Sequence, residues 1–189
     1  IDHLTQTRSP LVNQTRLLIA TILGCTASMA SASITGTSGA CIQISPPALA
    51  DVPTLMGPLA QVWNEQQGQT GVVFADLTTN PGNSGAPTPG ANLFGTFDSH
   101  FIHFTGGSAG LAVGTVTFSG PIVMVAWSDQ NLDITDGTWG AGGTVYPTGQ
   151  IGRGMNANGW IWVAGNTLHF DFNAINPAFE IEQVRVWTT

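Results

Sequence analysis

Short runs of Val, Ile, Phe and Trp alternate with clusters of Gly, Pro and Asn from residue 35 to the end of the chain. The clearest run covers residues 166–173, where Leu168, Phe170 and Phe172 alternate with polar residues. A period of two is typical of a half-buried β-strand, because successive side chains point to opposite faces of a sheet. This run therefore predicts a strand that covers an apolar core with one face.

Two further runs predict strands in the second half of the chain. Residues 122–127 are apolar on both faces, which is typical of a strand covered from both sides. Residues 181–188 place Val184 and Val186 on one face and Arg185 on the other. Short strands separated by turn residues indicate an all-β chain, and we expect an antiparallel β-sandwich of the jelly-roll-like or immunoglobulin-like kind.

Helical periodicity is confined to one stretch, and one long turn-rich segment separates the strands. Residues 55–66 carry apolar side chains at helical spacing, which predicts at most one short helix there despite Gly57 and Pro58. Residues 78–92 are rich in Asn, Pro and Gly and predict a long loop. No repeat or second domain boundary is visible, so residues 33–189 are expected to form a single sandwich domain.

The segment before the strands has the organisation of a secretory signal peptide. Arg16 precedes an apolar run over residues 17–23, and small residues follow. A positive start, a short apolar run and an Ala-x-Ala site define such leaders, and this run is too short to span a membrane. We expect residues 16–32 to be a signal peptide cleaved between Ala32 and Ser33, and the protein to be secreted or held at a bacterial cell surface.

Two features leave the mode of export open. Residues 22–25 read Ile-Leu-Gly-Cys, which resembles a lipid-attachment motif and makes Cys25 an alternative anchoring site. Residues 1–15 precede the leader without a methionine, which indicates an extension that is not translated in the natural protein. Cleavage after residue 32 would leave Cys41 as the only cysteine, so no disulfide framework is expected.

Charge is scarce in this chain. Charged residues make up 8% of the sequence, lysine is absent, and the formal net charge is -7. Beyond the leader only Arg153 and Arg185 are basic. Two cations cannot neutralise a run of phosphates, so a nucleic-acid partner is excluded, and the same deficit argues against attachment to anionic lipid.

Six ordered segments cover most of the region after the leader: VWNEQQG (62–68), DSHFIHF (98–104), GTVTFSG (114–120), LDITD (132–136), TVYPTG (144–149) and EQVRVWT (182–188). Together they resemble uncharacterised secreted bacterial β-domain proteins, many of which carry a PEP-CTERM surface-sorting tail. The resemblance implies an exported β domain of the cell surface or extracellular matrix, without catalytic residues to transfer. Residues 187–189 end the chain without a Pro-Glu-Pro signature, so anchoring by such a tail is not expected.

Aromatic residues next to glycine-rich loops are candidate ligand-binding residues. The chain has six tryptophans, and an exposed indole can stack on the apolar face of a sugar ring. Trp139, Tyr146 and Trp160 flank such loops and form the candidate carbohydrate site. Trp127 is assigned to the core, and residues 160–163 are interpreted as a buried strand.

A run of acidic and amide side chains is a candidate calcium site. Asp129, Asn131, Asp133 and Asp136 supply the hard oxygen ligands that calcium prefers. Ile134 stands where an EF-type loop needs glycine, so a calcium site would be of another type. Turns capped by these side chains are the alternative, and no other cofactor is expected.

Other reactive side chains carry weaker signals. Residues 106–110 match the Gly-x-Ser-x-Gly pattern around Ser108, but no helical pattern follows, so a hairpin turn is expected. His100 and His103 would point to opposite faces of one strand, which disfavours a shared metal. Glu182 and its neighbour Glu180 are expected to form an exposed charged edge.

These patterns predict an exported, non-enzymatic surface or extracellular matrix protein. A carbohydrate-binding module that uses exposed tryptophans is the first alternative, and a secreted hydrolase is the second. The partners expected are extracellular polysaccharide or other surface proteins, with no membrane span after the leader is removed.

Overall fold

The computed structural model describes residues 31–51, 55–78, 88–106, 110–174 and 181–189. Within these residues the chain forms β-strands and one α-helix, α1 (Asp129–Trp139). The strands are β1 (Ile34–Gly39), β2 (Cys41–Gln43), β3 (Ala60–Asn64), β4 (Gln69–Phe74), β5 (Leu77–Thr78), β6 (Thr88–Pro89), β7 (Asn92–Phe104), β8 (Leu111–Phe118), β9 (Ile122–Ala126), β10 (Trp160–Ala164), β11 (Thr167–Asn173) and β12 (Glu182–Thr188).

The described strands form two sheets. The small sheet has the order β1-β8-β11-β10 and is antiparallel throughout. The large sheet has the order β2-β3-β7-β12-β9-β5-β6, with β4 paired to the first half of β7, and its β2–β3 pair is parallel. The protein is therefore an all-β sandwich dominated by antiparallel pairs, as the alternation of apolar residues predicted.

The main apolar core lies between the two sheets. The predicted face of β11, formed by Leu168, Phe170 and Phe172, is buried there and packs with Val184 and Val186 of β12. Each such side chain contributes about 2 kcal/mol by leaving water. The predicted periodicity of β11 is confirmed, because its polar side chains alternate with these on the opposite face.

A second apolar cluster covers the other face of the large sheet. Trp63, Phe101 and Trp187 point away from the main core and pack with Trp139 of α1. Consequently β12 is buried along its whole length. Arg185 does lie opposite Val184 and Val186, as predicted, but α1 covers that face and buries it completely.

The short helix lies far from its predicted place. Residues 60–64 of the predicted helical stretch form β3, whose Val62 and Trp63 enter the two different apolar clusters. Burial on both faces of a strand produced an apolar spacing that resembled a helix. The helix is α1 instead, and Ser128 caps it by accepting a hydrogen bond from the N–H of Asn131 at 3.4 Å.

Two buried arginines join α1 to the rest of the protein. Arg185 binds Glu65 of the large sheet through Nε and Nη2, at 2.7 and 2.9 Å, and Asp136 of α1 at 3.1 Å. Arg153 binds Asp136 at 2.6 Å and Asp133 at 2.7 Å. Burial alone would lower the pKa of Arg185, but Glu65 and Asp136 raise it above its usual range, so the guanidinium stays charged.

The described residues contain no helix that is long and apolar enough to cross a membrane.

Candidate functional site

Two of the three aromatic residues predicted to bind a ligand lie in the second apolar cluster. Trp139 is completely buried, and its indole N–H donates to the carbonyl of Val72 at 3.0 Å. Tyr146 is half-buried, and its hydroxyl donates to Oε1 of Glu65 at 2.5 Å. The expected exposure of these two rings is wrong, because α1 and the loop after it pack against the large sheet. Trp160 alone keeps the predicted exposure, at 46%.

The exposed partner of Trp160 is Trp162. Both side chains point outward from β10, which is an edge strand of the small sheet, and Trp162 is 42% exposed. Val163 enters the main core from the opposite face of the strand, and Ile161 packs against that core. The interpretation of residues 160–163 as a fully buried strand is therefore wrong.

The register of the β10–β11 hairpin carries the signal that could have identified this pair. Gly165 takes a positive φ of 62° in the turn, and the pairing of Ala164 with Thr167 leaves a two-residue loop. That register puts Trp160 and Trp162 opposite the polar side chains of β11. Because those polar residues mark the solvent face of β11, the tryptophans share that face.

Each exposed indole is held by its cross-strand partner. Trp162 stacks on the imidazole of His169, with ring centroids 3.7 Å apart and an interplanar angle of 12°. The indole N–H of Trp160 donates to Oδ2 of Asp171 at 3.1 Å. Such pairs fix the orientation of the rings before any ligand binds, which reduces the entropy lost on binding.

An open cleft of about 380 Å³, named here the tryptophan cleft, runs beside Trp160. Its size is within the range of sites for small organic ligands and short sugar chains. Its lining residues are Trp127, Met155, Asn156, Ala157, Gly159, Trp160 and Ile161.

Hydrogen bonds hold both walls of the tryptophan cleft in place. The N–H of Trp127 donates to Asp76 Oδ2 at 2.7 Å, and its carbonyl accepts from the N–H of Met155 at 2.9 Å. Asn156 donates to the carbonyl of Asn173 at 2.7 Å, which ties the loop to the end of β11. The cleft therefore presents an apolar, aromatic surface on a fixed backbone.

A buried carboxylate lies directly beneath the loop that borders the cleft. Glu182 is completely buried, and a β-carbon at Gly159 would lie 3.0 Å from its Oε2. The prediction that Glu182 forms an exposed charged edge is wrong, because β12 is central in the large sheet and covered on both faces. Glu180 lies outside the described residues.

The four residues predicted to bind calcium lie on α1 and use their side chains within the protein. Asp129 accepts from the backbone N–H groups of residues 152 and 154, at 2.7 and 2.8 Å. Asn131 donates to Asp76 at 2.8 Å, while Asp133 and Asp136 bind Arg153. The described residues contain no group of three or more His, Cys, Asp or Glu side chains arranged to hold a metal ion.

The two histidines of β7 point to opposite faces, as predicted. His100 contacts Phe118 in the main core, whereas His103 hydrogen-bonds Gln183 at 2.9 Å on the other face of the sheet. Burial lowers the pKa of each imidazole to about 3, with a further contribution from Arg153 at His103. Both rings are therefore neutral and inaccessible, and neither reaches the tryptophan cleft.

The predicted export signals lie mostly outside the described residues, which include neither Cys25 nor Ser108. At the predicted cleavage position, Ala32 is buried and Ser33 is half-buried. The N–H of Ser33 donates to Oγ of Ser119 at 2.9 Å. Residues on both sides of the predicted cleavage bond thus belong to the folded sandwich.

Comparisons with known proteins do not identify the chain: no family model, no curated protein and no solved structure matches it.

Proposed function

We propose that the protein is an exported, non-enzymatic component of a bacterial surface or extracellular matrix that binds polysaccharide in the tryptophan cleft. The observation that carries the proposal is the exposed indole of Trp160, fixed by Asp171 at the border of a cleft that also contains Trp127. The leader-like residues 16–32 support export. The burial of His100 and His103, on opposite faces of one sheet, supports a binding role over catalysis.

The chemistry of the cleft favours a neutral polysaccharide. An indole offers a flat apolar surface to the C–H face of a sugar ring, and a second aromatic wall extends this surface. Among the described residues the cations are Arg153 and Arg185, and both are completely buried in ion pairs. An anionic glycan would therefore find no exposed arginine in the described part of the protein, and lysine is absent from the chain.

Affinity electrophoresis on a panel of neutral and anionic polysaccharides tests this function. We expect retardation by at least one neutral polysaccharide and its loss in Trp160→Ala. Removing a central aromatic contact costs about 2 kcal/mol, or about 30-fold in affinity. Phe94→Ala is the matched control, because Phe94 is 71% exposed and lies outside the cleft. An unretarded wild-type protein, or equal retardation of both variants, would contradict the proposal.

A further inference from the structure

Asp98 is a buried carboxylate that contacts the first described residues of the chain. It is 5% exposed and accepts hydrogen bonds from the backbone N–H of Ala32 and, at 2.5 Å, from that of Gly68. The hydroxyl of Ser31 lies 3.5 Å from Oδ1 of Asp98. No arginine or histidine of the described residues forms an ion pair with it. A buried carboxylate without a cation is costly, so this site lacks one positive charge.

Residues 31–33 are part of the sandwich. The Ser31 hydroxyl donates to Gln67, and Ala32 is 2% exposed. The carbonyl of Ser33 accepts from the N–H of Ser119 at 2.9 Å. Cleavage between Ala32 and Ser33 would remove two residues that contact Asp98 and would leave its carboxylate with fewer donors. The fold therefore favours a cleavage position nearer the N-terminus.

A second small-x-small sequence lies two residues earlier. Residues 28–30 read Ser-Met-Ala, which places small side chains at the two positions that a signal peptidase selects. We propose that the leader is cleaved between Ala30 and Ser31, and that the new α-ammonium group of Ser31 forms an ion pair with Asp98. This inference rests on the proposed export of the protein.

The reaction supplies the missing charge without any further reactant than water. A signal peptidase hydrolyses the Ala30–Ser31 peptide bond. The hydroxyl of the water goes to the carbonyl carbon of Ala30, which leaves as a carboxylate, and the nitrogen of Ser31 remains as an ammonium group at neutral pH. A cavity of about 200 Å³ lined by both Ser31 and Asp98 gives this group room.

N-terminal sequencing of the exported protein tests the cleavage position. The full chain is expressed behind an initiating methionine in a bacterial host, and protein from the periplasm or medium is analysed by Edman degradation and intact mass. We expect the sequence Ser-Ala-Ser-Ile, which begins at Ser31. Exported protein that begins at Ser33, or at a lipidated Cys25, would overturn this inference while leaving export intact. Uncleaved protein confined to the cytoplasm would overturn both.

The absence of lysine allows a direct test of the ion pair. In the processed protein the α-amino group is the only primary amine, so an acetylating reagent modifies that group alone. Only the neutral amine reacts, and a neighbouring carboxylate raises its pKa by about one unit or more, which slows acetylation about tenfold. We expect Asp98→Asn to restore the fast rate and Asp171→Asn, on the outer face of the small sheet, to leave it slow. Equal rates in Asp98→Asn and the unmutated processed protein would overturn the ion pair.

Discussion

Replacement of Arg185 with methionine tests the buried ion-pair network that joins α1 to the large sheet. The guanidinium binds both carboxylate oxygens of Glu65 and one of Asp136. It also donates to Thr135 at 2.6 Å and lies 4.8 Å from the ring centroid of Phe101. Methionine fills much of the same volume but leaves the carboxylate of Glu65, whose side chain is completely buried, without its cation.

The loss of one partner from a buried pair costs about 4 kcal/mol, because the other charge stays desolvated. With an m-value of about 2 kcal/mol/M in urea, the unfolding midpoint falls by about 2 M. Urea unfolding followed by tryptophan fluorescence measures this shift. Trp139 and Trp187 lie in the adjacent apolar cluster and report its disruption.

The double variant Arg185→Met with Glu65→Gln separates the ion pair from packing. Neutralising Glu65 removes the unpaired charge, so the double variant is expected to recover about 2 kcal/mol relative to Arg185→Met alone. A loss below about 1 kcal/mol in Arg185→Met, or additive losses in the double variant, would refute the assignment of this network as a coupled, charged pair.

Three further predictions concern stability and reactivity. His100 and His103 stay neutral in the fold with pKa values of about 3 but take up protons near pH 6.5 when unfolded, so the free energy of unfolding falls as pH drops below 6.5, by about 2 kcal/mol per histidine at pH 5. Urea titrations of each His→Gln variant from pH 8 to 4 check this slope. Burial raises the pKa of Cys41 to about 12, so a thiol reagent at pH 8 is expected to label it only in denaturant. Gly114→Ala places a β-carbon 2.6 Å from the carbonyl oxygen of Ser38 and is expected to cost about 2 kcal/mol, whereas Gly36→Ala, with open space around it, stays within about 0.5 kcal/mol by thermal melting.

Strand periodicity was readable from the sequence because each side chain's environment depends on only two faces. The alternation in β11 identified its buried face, and the positions of Val184 and Val186 in β12 followed from parity. The opposite orientations of His100 and His103 followed from the same rule.

The layer that covers the large sheet was not readable from the sequence. Parity assigns a residue to a face but does not say whether another element packs on that face. Arg185 and Glu182 are therefore buried although their charge indicated solvent. The helix α1 was missed because its buried face consists of only Leu132, Thr135 and Trp139, while its acidic residues resembled a ligand set for calcium.

The candidate site was predicted in part for a related reason. Trp160 was identified, but Trp139 was chosen for its neighbouring glycines, which say nothing of the α1 packing that buries it. Trp162 could be found only by combining the two-residue turn with the polar face of the partner strand. Pairing register thus carries information that the pattern within a single strand lacks.

The central claim is that the tryptophan cleft binds a neutral polysaccharide through Trp160. Isothermal titration of the exported protein with the polysaccharide that retards it most tests this claim directly, with Trp160→Ala and Phe94→Ala measured in parallel. The account predicts affinity about 30-fold weaker in Trp160→Ala and unchanged in Phe94→Ala. Equal affinities of the wild-type protein and Trp160→Ala would contradict it.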